Sequence, residues 1–162
     1  MNAPMVLSPE SLAKIDREIA KYPPDQKRSA VMSALRIAQE EKGWLSRETI
    51  DFVARYLEMT SIAVWEVASF YSMYNLQPVG KHKICICTNL PCALSGANEA
   101  AEHLKEKLGV GFGETTRDGR FTLKEYECMG ACGDAPVLMV NNRKLHSHMT
   151  PDKIDKLLSE LD

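Results

Sequence analysis

The sequence predicts an α+β protein, an N-terminal four-helix bundle followed by a small sheet domain with helices against it. Two observations carry this. Apolar side chains recur at helical spacing, with a cap residue ahead of most runs, as far as about residue 74. The character then changes at "LQPVGK", where Pro78 and Gly80 punctuate the chain, and short β-branched runs take over. The expected division is 1–79 for the helical part and 80–162 for the sheet domain, and all five cysteines fall in the second.

In "SPESLAKIDREIAKY" Ser8 is the expected N-cap and Pro9 the first helical residue, with Leu12, Ile15 and Ile19 on one face. "YPPDQ" breaks the chain. A second helix is expected from about Gln26 to Glu41, with Val31, Leu35 and Ala38 inward and Gly43 closing it. Ser46 opens a third in "WLSRETIDFVARYLEM", whose inner face is Ile50, Val53 and Leu57. Thr60 caps a fourth, "TSIAVWEVASFYSMY". Short connections between four amphipathic helices predict antiparallel packing. Trp44 and Trp65 are expected in the core, and Phe70 with Tyr71 is either core or docking face.

After the boundary, "HKICICT" reads as a strand and "SGANEAAEHLKEKLG" as a helix with Leu104 and Leu108 one turn apart. Asp118-Gly119 marks a turn before the strand in "RFTLKEYEC", and Asn141-Asn142 a hairpin turn within "APVLMVNNRKLHSHM". Thr150 and Pro151 begin a closing helix. The predicted order is β-α-β-β-β-α.

The formal charge of −2 and the lack of any long basic run exclude a nucleic-acid footprint. "MNAPMVLSPESL" does not read as a secretory signal, and no window approaches the ~20 apolar residues of a membrane span. A cytosolic, reducing setting is expected, which disfavours disulfides for the cysteines.

Cys87 and Cys92 bracket "TNLP", and Cys128 and Cys132 bracket "MGA". Each pair begins where a strand ends. If the two strands are neighbours, all four thiols project from one edge of the sheet, able to enclose a zinc ion or to hold a two-iron cluster. Gly96, Gly130 and Gly133 favour the cluster, because backbone N–H groups must approach sulfurs that share its negative charge. Spacing alone leaves zinc open, and a zinc-stapled interaction module is the alternative class. A redox dithiol has less support, since no C-x-x-C is present. Cys85, on the same strand face as Cys87, is expected to be core filler. His82 and His103 read as isolated surface residues, and His146 and His148 as the polar face of an edge strand.

"ICICTNLPCALSGA" and "YECMGACGDAPVLMVNN" resemble the [2Fe–2S] subunit of bacterial NADH:quinone oxidoreductase (complex I) that belongs to the thioredoxin-like ferredoxin family. "LRIAQEEKGWLS" and "VWEVASFYSMYNLQPVGKH" resemble the helical region ahead of that cluster domain, so the likeness covers nearly the whole chain. It implies a thioredoxin-like second domain, one [2Fe–2S] cluster on Cys87, Cys92, Cys128 and Cys132, and no catalytic residue on this chain. It further implies a flavoprotein partner that binds FMN and NADH within a multisubunit complex, placed peripherally at the cytoplasmic face of the inner membrane. The same resemblance extends to the equivalent subunits of NAD-reducing hydrogenases and NAD-dependent formate dehydrogenases.

Overall fold

A computed structural model describes residues 6–161, in two compact units that divide between Pro78 and Val79. The reading of the extreme N-terminus as lacking an export signal falls partly on residues 1–5, outside the described residues. No helix among the described residues is long and apolar enough to cross a membrane.

The first unit contains α1 (Pro9–Ile19), a 3-10 segment (Pro24–Ala30), α2 (Val31–Lys42), α3 (Arg47–Tyr56) and α4 (Ser61–Phe70). Ser8, Ser46 and Thr60 each accept a hydrogen bond from the backbone N–H three residues on, satisfying a donor that the first turn leaves orphaned. Ile15, Leu35, Ala38, Ile50, Val53, Leu57 and Val64 meet in one core. The Glu41 carboxylate, at the end of α2, accepts the Ser8 N–H on both oxygens and the Ser8 hydroxyl at 2.8 Å, fastening α2 to the start of α1.

Three details differ from the sequence expectation. The helix expected from Gln26 starts at Val31, because Gln26 (φ −113°, ψ 28°) leaves helical geometry and the preceding turns are 3-10. The fourth helix stops at Phe70, where Tyr71 turns extended (ψ 118°). Trp65, expected in the core, is 38% exposed and shares the open side of α4 with Ile62 and with Phe70, 80% exposed. The α4 sequence is apolar nearly all round, so its periodicity does not say which side is covered.

The second unit is built on β1 (His82–Cys87), α5 (Leu90–Leu94), α6 (Ala97–Leu108), β2 (Phe121–Tyr126), β3 (Leu138–Val140), β4 (Lys144–His146) and α7 (Pro151–Glu160). The sheet order is β2-β1-β3-β4, with β1 and β2 parallel and the other pairs antiparallel. Asn141 and Asn142 turn the β3–β4 hairpin with φ of 53° and 55°, values that asparagine tolerates best among residues with a Cβ. Ile84, Ile86, Leu123, Leu138 and Val140 pack on Ala100, Leu104, Ile154 and Leu157 of α6 and α7. His103 on α6 lies 2.7 Å from Asp155 of α7, so it ties two helices together where the sequence suggests an isolated surface residue.

Candidate metal centre

The parallel register of β1 and β2 runs from His82 against Phe121 to Cys87 against Tyr126. Both strands therefore finish at one level, and the loops carrying the cysteines leave the same edge of the sheet. Cys87 is the last residue of β1, and Cys128 follows β2 by two residues. Cys92 lies inside the short helix α5 rather than in the loop expected for it, and Cys132 opens a 3-10 turn through Asp134.

The thiols come as two pairs. The Cys128 and Cys132 sulfurs are 3.5 Å apart, and the Cys92 thiol feels Cys87 as its neighbouring thiol. Burial and then the Cys87 thiol push the Cys92 thiol up, and the Cys128 thiol does the same to Cys132, which favours the protonated thiol at both. Cys87 and Cys92 are each 1% exposed, packed with Ala97 and Val137, whereas Cys128 and Cys132 are open to solvent.

Side chains outside the motif brace the two loops. Thr88 donates to Glu125 at 2.6 Å and Asn89 to Glu127 at 2.7 Å, joining the first cysteine loop to the end of β2. The second loop is held by the His148 N–H on the Asp134 carbonyl (2.8 Å) and the Met149 N–H on the Pro136 carbonyl (2.9 Å). These partners are distant in sequence, and no local motif announces them. Of the three loop glycines, Gly130 makes the contact expected of its type: at φ 74° its N–H points at the Cys128 sulfur, 3.4 Å away. Cys85 is wholly buried in mid-strand.

Among the described residues, no three His, Cys, Asp or Glu side chains converge as a site for a single ion. Two thiol pairs with a sulfur-only donor set fit a binuclear iron–sulfur centre, which Cys87, Cys92, Cys128 and Cys132 would hold as thiolates. Fold and site together define an α+β protein with a thiol-lined centre at one end of a four-stranded sheet. The chain belongs to the thioredoxin-like [2Fe–2S] ferredoxin family, whose sequence model matches residues 15–162, and the family's cofactor is one [2Fe–2S] cluster.

Among its relatives is an NADH-quinone oxidoreductase subunit of Rickettsia bellii, 42% identical over 94% of this chain and 91% of that one. Another is an NADH-quinone oxidoreductase subunit of Thermus thermophilus, 42% identical over 91% of this chain and 81% of that one. Among solved structures, an NAD+-reducing [NiFe]-hydrogenase shares the fold over 81% of this chain with a TM-score of 0.71, at 20% identity. This chain spans 22% of that hydrogenase chain.

Proposed function

We infer that this chain is an electron-transfer subunit of an NADH:quinone oxidoreductase, and that Cys87, Cys92, Cys128 and Cys132 hold its [2Fe–2S] cluster. The observation that carries the reading is the near full-length likeness to NADH-quinone oxidoreductase subunits, in a chain whose four loop cysteines gather at one sheet edge. The cluster, when bound, accepts and returns a single electron. The chain's own residues do the rest. Cys87 and Cys92 anchor the site in the core, and the Gly130 N–H disperses negative charge on sulfur. Cys128 and Cys132 stand on the open side, where a partner can approach.

The immediate partner in this reading is a flavoprotein that binds FMN and NADH, within a complex at the cytoplasmic face of the inner membrane. Two exposed apolar patches support docking. Leu90 and Leu94, 71% and 81% exposed, stand one turn apart on α5 on either side of Cys92. Ile62, Trp65 and Phe70 line α4, in what we take to be a partner-docking four-helix bundle of α1–α4. Covering such patches excludes water from the contact and adds hydrophobic stabilisation.

The test uses the cluster-loaded full chain. Dithionite is expected to bleach its visible spectrum and NADH alone to leave it unchanged. NADH together with the FMN-bearing partner is expected to yield the electron paramagnetic resonance signal of the reduced cluster, to the extent its potential allows. Rapid bleaching by NADH with flavin verified absent overturns the carrier reading.

A further inference from the structure

Lys83 stands in the middle of β1, 2% exposed, four residues before Cys87. Side chains alternate along a strand, so Lys83, Cys85 and Cys87 share one face, while Ile84 and Ile86 enter the core against α6 and α7 from the other. The Lys83 ammonium lies 3.3 Å from the Tyr126 hydroxyl and 5.6 Å from the centre of its ring. Tyr126 is the residue that pairs with Cys87 across the β1–β2 ladder, and its hydroxyl lies 3.3 Å from Asn142 Oδ1. A cation is thus held on the strand that delivers a cluster ligand, in contact with the strand that leads to another.

An ammonium removed from water carries a large desolvation cost, and an apolar residue of the same length would avoid it. We propose that Lys83 is a resident positive charge that raises the reduction potential of the cluster held at Cys87. The inference rests on the cluster reading above and assigns this side chain a role in it.

Reduction adds one negative charge to the site, and a nearby cation stabilises the reduced state more than the oxidised one. Four residues of strand at ~3.3 Å each separate the Lys83 and Cys87 backbones by about 13 Å, which sets the scale of the distance between the charge and the site. At that distance, with the effective dielectric that suits buried protein sites, the charge multiplies the reduced-to-oxidised ratio roughly three- to tenfold. Burial pulls the Lys83 pKa down to about 8, so at pH 7 most of the population still carries the charge. After burial, the Cys85 thiol acts to raise its pKa and the Lys124 ammonium to lower it.

The experiment is a redox titration of the loaded full chain at pH 7, followed by electron paramagnetic resonance. In Lys83→Met the reduced-to-oxidised ratio at a fixed potential is expected to fall roughly three- to tenfold, tenfold being about 59 mV for a one-electron couple. Lys83→Arg, which keeps the charge, is expected to stay near the unaltered protein. So is Tyr126→Phe, which removes the hydroxyl and leaves the ammonium. Lys83→Gln serves as the neutral variant if Lys83→Met does not load. A neutral variant with an unchanged midpoint overturns the proposal, and so does a Lys83→Arg midpoint lowered as far as the neutral one. Failure of the cluster reading itself looks different: the unaltered protein would then lack iron and the reduced-cluster signal at any potential.

Discussion

The five cysteines separate burial from ligation, because the structure crosses the two properties. Cys87 and Cys92 are buried proposed ligands, Cys128 and Cys132 are exposed proposed ligands, and Cys85 is buried without that role. Replacing each by Ala therefore yields two independent patterns. In the metal-free protein, removing a fully buried sulfur forfeits its contacts and leaves a small void, costing ~1–2 kcal/mol at Cys85, Cys87 and Cys92. At Cys128 and Cys132 the sulfur is already in water, and the cost should stay within ~0.5 kcal/mol. Iron content sorts the same variants otherwise: Cys85→Ala keeps the full complement and visible spectrum, and the other four lose them. The assays are urea unfolding of the apoprotein and iron quantification after reconstitution. A Cys128→Ala protein with normal iron and spectrum refutes the ligand set. An apo Cys128→Ala protein as destabilised as Cys92→Ala refutes the burial argument.

Two further outcomes concern the scaffold. The Ser11 hydrogen bond, and then those from the Ser8 backbone and hydroxyl, hold Glu41 down at about 2 against an ordinary 4.5. Its ionised form is thus favoured in the folded state, and the stabilisation is complete above pH 4.5 and lost as pH falls toward 2. Glu41→Gln should cost about 1 kcal/mol at pH 7, after discounting for solvent screening, and should flatten the acid limb of a stability–pH curve. An unchanged acid limb would show that Glu41 is not clamped. At Gly80, an added Cβ would meet the Gly119 carbonyl oxygen and the Phe121 carbonyl carbon at 2.9 Å, both backbone atoms that cannot swing aside. Gly80→Ala should therefore lower stability by ~1–3 kcal/mol, read as a shift in urea midpoint, and an unshifted midpoint would contradict the crowding.

What the sequence makes legible depends on how local its cause is. Ser8, Ser46 and Thr60 announce helix starts because each cap bond closes over three residues, and the Asn141-Asn142 pair announces its hairpin by the same kind of short-range chemistry. The 3-10 segment before Val31 reads as helix in the sequence, since Lys27 and Arg28 suit either state and only the Gln26 backbone reveals the kink. Trp65 is misplaced in the core by the sequence reading because an all-round apolar helix carries no directional signal. At the site, the two cysteine loops stand out by composition, yet their meeting hangs on the adjacency of β1 and β2, which no residue in either strand encodes alone. The braces from Thr88 and Asn89 and the burial of Lys83 are invisible for the same reason. A lysine in a strand ordinarily signals a solvent face.

The in-register pairing of β1 with β2 has a consequence for how the protein matures. Slipping β2 by one residue would invert the facing of its side chains and carry Cys128 ~3.3 Å along the sheet, so a mispaired chain would present an incomplete set of sulfurs. Iron would find no home there and would lend such a chain none of the mass-action advantage that a bound group gives the correct fold. If the four cysteines hold the cluster as proposed, its binding would favour the native register of β1 and β2.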